Sequence, residues 1–163
     1  FLSKSISENE KNYGAWLFKA ILDFRIDSNP DQALDSLEKA RKYSQGSYEW
    51  RYSEAFLHFW KQNYPKALKI CHDIKNQSYV NEKITFDEVR NFNVSILSQD
   101  QSKPQLYFWI GYLSYFKDHN LSNALQDFEK FEELSTRDME LLKQKSSAYL
   151  QVIRKEMGLT RLN

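Results

Sequence analysis

The sequence is poor in the residues that interrupt helices and in the residue that forms covalent cross-links. Its 163 residues include four glycines and three prolines, too few for the frequent turns of a β-sandwich or β-barrel. A single cysteine, Cys71, excludes an intrachain disulfide and is typical of a reducing compartment. These scarcities favour an all-α protein of long helices and short connections, and we expect it in the cytoplasm.

The chain also lacks an excess of charge of one sign and a long apolar run. Its 23 basic and 22 acidic side chains give a net charge of +1, so no overall field favours nucleic acid or a membrane surface. The longest uncharged, mostly apolar stretch runs from Leu106 to Phe116, well short of the roughly 20 residues of a membrane helix. We therefore expect no membrane span, and we disfavour nucleic acid as a partner.

One helical pattern occurs three times along the chain. Ala33, Ala67 and Ala124 occupy the same position in the three copies, and Ala67 follows Ala33 by 34 residues, the period of a helix-turn-helix repeat. Ala124 follows Ala67 by 57 residues, so about 23 residues are inserted between the second and third copies. The copies are Pro30–Ala40, Tyr64–Ile74 and Leu121–Phe131.

Each copy is preceded by a segment with the apolar spacing of a half-buried helix. In the first segment, Tyr13 to about Ile26, apolar residues recur every three or four positions. The corresponding segments of the next copies run from Tyr48 to about Gln62 and from Gln105 to Lys117. Asn29 followed by Pro30 predicts a capped helix start. The sequence therefore predicts three pairs of consecutive helices.

These residues resemble the tetratricopeptide repeat (TPR) family, which has a Trp early in its first helix and a small residue four positions later. Trp16 and Ala20 match this pattern, and Ala55 and Gly111 supply the small residue in the later copies. The resemblance implies an all-α solenoid of about three helical hairpins plus a C-terminal capping helix, in one domain spanning 1–163. The predicted boundaries are 13–44, 47–75 and 104–134 for the repeats, 76–103 for the insertion and 136–157 for the last helix.

Two segments admit more than one interpretation. Within the insertion, Thr85–Phe92 predicts a short capped helix and Ser98–Ser102 predicts a loop; the segment either contacts a ligand or is tolerated variation. The last helix, which Gly158 is expected to end, either caps the stack or is the first half of a fourth repeat. Ser7–Glu10 predicts an earlier helix start. Because the chain begins at Phe1 without methionine, we expect a fragment, and any targeting segment would then lie outside the given residues. An interaction module of this kind is expected to belong to a larger regulatory or signalling protein.

The resemblance also implies which residues bind a partner, because the first helix of each TPR hairpin lines a concave groove. Aromatic side chains on such a surface would provide large contact areas at small entropic cost. The alternative is that these side chains only pack between repeats. By position the predicted partner-binding residues are Leu17, Ile21, Phe24, Tyr52, Phe56, Phe59, Phe108, Tyr112 and Tyr115.

The sequence contains no strong catalytic motif. Cys71 and His72 are adjacent and point in different directions on a helix, and the chain has no Cys-X-X-Cys spacing for zinc. We therefore expect no enzyme activity, no cofactor and no metal, and we expect Cys71 to be a packing residue. The predicted function is non-catalytic binding of a peptide or a partner helix. The alternative, an RNA-binding helical repeat, has the near-zero net charge against it.

Overall fold

A computed structural model describes residues 12–46, 49–77 and 86–159, and in these ranges the chain is helical with no strand. It forms two compact units, Phe1–Lys83 and Ile84–Asn163, called here the N-terminal and C-terminal units. No helix in the described ranges is both long and apolar enough to cross a bilayer. The predicted all-α class is confirmed, whereas the early helix start predicted at Ser7–Glu10 lies outside the described residues.

The described part of the N-terminal unit consists of two pairs of consecutive helices. Helix α1 (Tyr13–Asp27) packs on α2 (Pro30–Lys42), and α3 (Glu49–Trp60) packs on α4 (Tyr64–Asn76). Helix α2 also packs on α3, which joins the two pairs. The repeated alanines lie inside this packing, since Ala33 and Ala67 have no exposed surface.

The described part of the C-terminal unit has one pair of helices flanked by two further helices. Helix α6 (Gln105–Phe116) pairs with α7 (Leu121–Leu134). Helix α5 (Phe86–Gln99) packs on α6, and α8 (Glu140–Glu156), which follows a short 3₁₀ turn, packs on both α7 and α6. Gly158, in the left-handed conformation, directly follows the C-cap of α8, which confirms the predicted end of this helix.

The corners of the three hairpins have the same backbone geometry. The residue before each helix-capping asparagine is left-handed, with φ of 48° at Ser28, 63° at Gln62 and 53° at His119. The carbonyl of the following asparagine then accepts a hydrogen bond from the repeated alanine four residues later, at 3.2, 3.0 and 3.0 Å in chain order. The sequence repeat therefore corresponds to a structural repeat at the corner. The pairs are Asn29 with Ala33, Asn63 with Ala67, and Asn120 with Ala124.

A small residue lies at the crossing of α6 and α7, as the sequence pattern predicts. A Cβ atom added to Gly111 would lie 3.1 Å from the Phe128 ring and 3.3 Å from the Cβ of Asp127. In the N-terminal unit the matching positions, Ala20 and Ala55, are buried. Small side chains at these positions let the paired helices approach closely.

The predicted insertion contains a longer helix than the sequence indicates. Helix α5 extends to Gln99, so the prediction of a short helix through Phe92 and a loop from Ser98 is wrong at this end. Its inward face combines Asn93 and Leu97, both buried, with Arg90 one turn earlier. Two of these three inward-facing residues are polar, so the apolar spacing that predicts a helix is interrupted. The sequence prediction therefore ended the helix at Phe92.

Candidate functional site

Most of the predicted partner-binding residues are buried within their own units. The members with little exposed surface are Phe24, Tyr52, Phe56, Phe59, Phe108 and Tyr112. Leu17 and Tyr115 are half-buried, and Ile21 is exposed over 40% of its surface. Partner binding by these nine residues stays a prediction. Among them, Leu17, Ile21 and Tyr115 have the most solvent-accessible surface.

In the N-terminal unit the predicted aromatic residues pack against one another. The Phe24 ring lies edge-on to the rings of Phe56 and Trp60, at centroid distances of 5.2 and 4.9 Å. Edge-to-face pairs of this kind stabilise a core beyond the area that they bury. Trp60 also belongs to this cluster. The sequence pattern selected the adjacent Phe59 instead.

The outward side of α1 is apolar as well as its inward side. Ala15, Trp16, Ala20 and Phe24 are buried, which would be enough for an ordinary amphipathic helix. On the other side, Leu17 is half-buried, Phe18 is 49% exposed and Ile21 is 40% exposed. We call Leu17, Phe18 and Ile21 the α1 face. Apolar side chains therefore lie on both the buried and the exposed sides of α1, apart from the ion pair of Lys19 with Asp23, and exposed apolar side chains grouped in this way are typical of contact surfaces.

In the C-terminal unit the predicted aromatic residues surround Tyr149 of α8. The Tyr149 ring lies 6.3 Å from each of the rings of Phe108, Tyr112 and Tyr115, and 5.2 Å from the Phe116 ring. The sequence placed Tyr149 on the apolar stripe of the last helix but not at the site. Only the packing of α8 against α6 reveals that Tyr149 belongs with the predicted residues.

A polar stripe on α3 contains the ionisable groups of the N-terminal unit that burial affects most. Arg51, Glu54 and His58 are spaced by three and four residues. Nη2 of Arg51 lies 3.1 Å from Asp73 of α4, and its Nη1 lies 3.9 Å from Glu54. Burial raises the pKa of Glu54, with Arg51 and Lys66 opposing the shift. Burial, aided by the charges of Lys66 and Lys61, lowers the pKa of His58 to about 4, so its ring is neutral at pH 7.

The stripe lacks the arrangement of a hydrolytic or metal site. His58 is buried, and its Nδ1 atom has no hydrogen-bond partner, so no acidic residue orients the ring from that side. Among the described residues, no three His, Cys, Asp or Glu side chains are grouped so that they could hold a metal ion. Cys71 is buried, in agreement with the predicted packing role.

An ion pair with a buried carboxylate joins two described helices of the C-terminal unit. Nε and Nη2 of Arg90 donate hydrogen bonds of 3.1 and 2.8 Å to the two carboxylate oxygens of Asp127. Asp127 has a side chain that is only 3% exposed, and burial raises its pKa although the Arg90 bonds oppose that shift. The pair fastens α5 to α7, so the helix of the predicted insertion belongs to the packed structure of this unit.

Comparison with known proteins gives the chain no relative from which a function could be transferred. No protein-family model, curated protein or solved structure matches it. The TPR resemblance therefore rests on the sequence repeat, and any functional assignment rests on this chain's own residues.

Proposed function

We propose that this chain is a divergent TPR-like solenoid that binds a peptide or a partner helix without catalysis. The repeated corner supports the family assignment, because three hairpins use a left-handed residue, an asparagine and an alanine at the same spacing. Such agreement between sequence period and backbone geometry is typical of repeat proteins. A role as a scaffold within a larger regulatory or signalling protein is consistent with this kind of module.

The α1 face is the observation that carries the binding function. Exposed apolar residues occur singly on many surfaces, but Phe18 and Ile21 lie one turn apart beside half-buried Leu17. The spacing of three and four residues is that of a helix-packing stripe. An amphipathic partner helix therefore suits this surface, with Phe18 as its most accessible anchor.

The test is site-specific photo-crosslinking in cells that express the whole protein. A photoreactive phenylalanine analogue in place of Phe18 should give a discrete protein adduct, which mass spectrometry identifies and which is then reconstituted from purified components. The same analogue in place of Leu141, which is 41% exposed on α8, serves as the control for nonspecific capture.

Substitution of the surface provides the second arm of this test. The double variant Phe18→Gln/Ile21→Gln keeps good helix formers in α1 and should weaken binding of the reconstituted partner by tenfold or more. Leu141→Gln should leave binding unchanged. Equal affinity for all three proteins would reject the α1 face, and adducts that ribonuclease removes would favour the RNA-binding alternative.

A further inference from the structure

Helix α4 of the N-terminal unit exposes charge of one sign. Its exposed charged residues are Lys66, Lys69 and Lys75. The acidic residue of the helix, Asp73, is half-buried, and its carboxylate accepts a hydrogen bond of 3.1 Å from Nη2 of Arg51 on α3. The carboxylate of α4 is therefore directed into the packing with α3, and the solvent-facing side is left basic. We call the three lysines the α4 basic row.

The α4 basic row follows one ridge of the helix surface. Its members are separated by three and by six residues, so they lie along a single line of positions spaced by three. At the rise of an α-helix this line extends over about 14 Å of helix axis. The position between Lys69 and Lys75 on the same line is occupied by His72, which is exposed. No carboxylate therefore interrupts the ridge from Lys66 to Lys75.

This arrangement of lysines is unfavourable for the helix itself. Lys66 and Lys69 are neighbours three residues apart on one face, where like charges repel each other. Lys66 also lies in the first turn of α4, at the positive end of the helix dipole, and that turn has no acidic residue to offset it. Within the part of the chain that the structure describes, neither lysine forms an ion pair. Departures from local preference that no contact compensates occur typically at functional sites.

The equivalent helices of the other two hairpins expose acidic residues. Both α2 and α7 are the second helix of a hairpin, as α4 is, and both begin with the same asparagine corner. On α2 the exposed charged residues are Asp31, Asp35, Glu38, Lys39, Arg41 and Lys42, and on α7 the exposed acidic residues are Glu129, Glu132 and Glu133. The hairpin fold therefore does not require a basic second helix, and the row is particular to α4.

The other side chains of α4 distinguish among anionic partners. Single-stranded nucleic acid binds where aromatic rings stack on its bases, but the aromatic residue of α4, Tyr64, is only 6% exposed. A membrane surface binds helices that expose large apolar side chains beside their lysines. On α4 the large aliphatic residues are buried apart from Leu68, which is half-buried. The row is therefore suited to carboxylates, with which ammonium groups pair as point charges.

We propose that the α4 basic row binds an acidic segment of a protein partner, whose aspartate or glutamate carboxylates pair with the three lysines. Exposed ion pairs are individually weak, so the row determines the orientation and the salt dependence of binding more than its affinity. The inference goes beyond the α1 face, because the two surfaces lie on different helices and select different chemistry. The α1 face suits an apolar helix, and the α4 basic row suits a charged segment.

The experiment is a fluorescence-anisotropy titration of the full chain against a labelled peptide of four Glu-Ala-Ala-Ala repeats. The same peptide with glutamine in place of glutamate is the neutral comparison probe, and a labelled oligouridylate is the nucleic-acid probe. At low salt the acidic peptide should bind at least tenfold more tightly than the glutamine peptide and more tightly than the oligouridylate. Raising the ionic strength from about 0.01 M to about 0.15 M should weaken binding of the acidic peptide at least threefold, because the Debye length shortens.

Variants separate binding at the α4 basic row from the effect of total charge. Lys66→Gln/Lys69→Gln should weaken binding of the acidic peptide about fivefold, the loss expected of two exposed ion pairs. Glutamine is a good helix former and the change removes a repulsion, so thermal unfolding should show no loss of stability. Lys66→Arg/Lys69→Arg keeps both charges and should retain binding. The matched control is Lys145→Gln/Lys155→Gln, which removes two exposed lysines of α8 and should leave the affinity unchanged.

Three results would overturn the inference. The first is equal affinity for the glutamate and glutamine peptides, and the second is an equal loss in Lys66→Gln/Lys69→Gln and in the α8 control. The third is tighter binding of the oligouridylate than of the acidic peptide, which would make the row a nucleic-acid surface. None of these results affects the proposed binding function, because crosslinking through Phe18 reports on the α1 face. Absence of the Phe18 adduct with selective binding of the acidic peptide would reject the α1 face and leave the α4 basic row in place.

Discussion

The two units manage their buried charges differently. In the C-terminal unit, one guanidinium and one carboxylate satisfy each other through two hydrogen bonds, and the carboxylate is almost wholly enclosed. In the N-terminal unit, three ionisable groups follow one another along α3: Arg51 lies 3.1 Å from Asp73 of α4 but 3.9 Å from Glu54, and His58 is buried without a partner at Nδ1. The buried Asp127 carboxylate depends on its two bonds from Arg90, whereas in the N-terminal unit burial shifts the pKa of two groups on one helix, Glu54 and His58.

This contrast teaches that similar helix packing can respond to different perturbations. Removing Arg90, whose side chain is 26% exposed, leaves the enclosed Asp127 carboxylate without this partner, and an uncompensated buried charge is among the costliest single changes in a protein. A dispersed stripe of half-buried groups responds instead to pH, since each group has its own shifted pKa. We therefore expect the C-terminal unit to be sensitive to mutation at one pair and the N-terminal unit to be sensitive to acid.

The largest expected effect is that of Arg90→Met. The change leaves the Asp127 carboxylate buried without its partner and should reduce the free energy of unfolding of the C-terminal unit by about 3–5 kcal/mol. Urea unfolding followed by NMR of α7 amides measures this loss. The matched control is Arg154→Met, which breaks the ion pair between Arg154 and Glu129. Because these two side chains are 42% and 49% exposed, the loss should be less than about 1 kcal/mol.

A double variant distinguishes the cost of an unpaired buried charge from the cost of lost packing. Replacing both partners, in Arg90→Met/Asp127→Val, removes the buried charge and should recover part of the stability that Arg90→Met loses. A double variant no more stable than Arg90→Met would show that packing, rather than an unpaired charge, explains the loss. Equal small losses for Arg90→Met and Arg154→Met would remove the contrast between the units.

The next effect concerns acid and the N-terminal unit. Folding lowers the pKa of His58 from 6.5 to about 4, so the unfolded chain binds this proton more readily. The stability that the neutral ring contributes is complete above pH 6.5 and is lost as the pH falls toward 4. Between pH 7.5 and pH 5 the loss should be about 2 kcal/mol. Urea unfolding at these two pH values, followed through α3 amides, measures it.

Protonation of Glu54 affects the free energy of unfolding in the opposite direction, so its contribution must be removed from the comparison. Its raised pKa means that the folded chain binds this proton more readily, so acid relieves a cost instead of adding one. The comparison is therefore made in a Glu54→Gln background, with and without His58→Gln. His58→Gln should remove about 2 kcal/mol of the pH dependence, and His72→Gln, at an exposed histidine, should not. Parallel pH profiles for all these proteins would contradict the assignment to His58.

The smallest expected effect compares three helix caps. The side chains of Asn29 and Asn120 accept hydrogen bonds of 3.1 and 3.0 Å from the backbone of Gln32 and Asn123, but the side chain of Asn63 makes no such bond. Asn29→Ala and Asn120→Ala should each cost about 1 kcal/mol in their own units. Asn63→Ala should cost a few tenths, as measured by thermal unfolding, and an equal cost at all three positions would contradict this ranking.

The hairpins were the most predictable part of the fold. Their apolar periodicity, the asparagine before Pro30 and the recurring alanines are local signals, and each agreed with the others along the chain. Helix α5 was harder to predict because its inward face uses Arg90 and Asn93. A polar residue on an inward face is recognisable only when its partner, here Asp127 on α7, is known.

The candidate site was less predictable than the fold. Positions on the first helix of each hairpin identified aromatic residues, but sequence alone does not tell whether a ring faces solvent or a neighbouring helix. Burial divides the set, enclosing Phe59 and Phe108 and leaving Ile21 accessible. Tyr149 belongs to the aromatic cluster through a contact between helices distant in sequence, so no local pattern could have placed it there.

The corners between the paired helices bear on how the chain can be redesigned. Three different residues, Ser28, Gln62 and His119, adopt a backbone conformation that glycine tolerates best. Since no side chain is common to them, packing of the two helices imposes the bend rather than local preference. The turn of one hairpin could therefore be transplanted into another. A glycine at the left-handed position would adopt this backbone conformation at lower energetic cost.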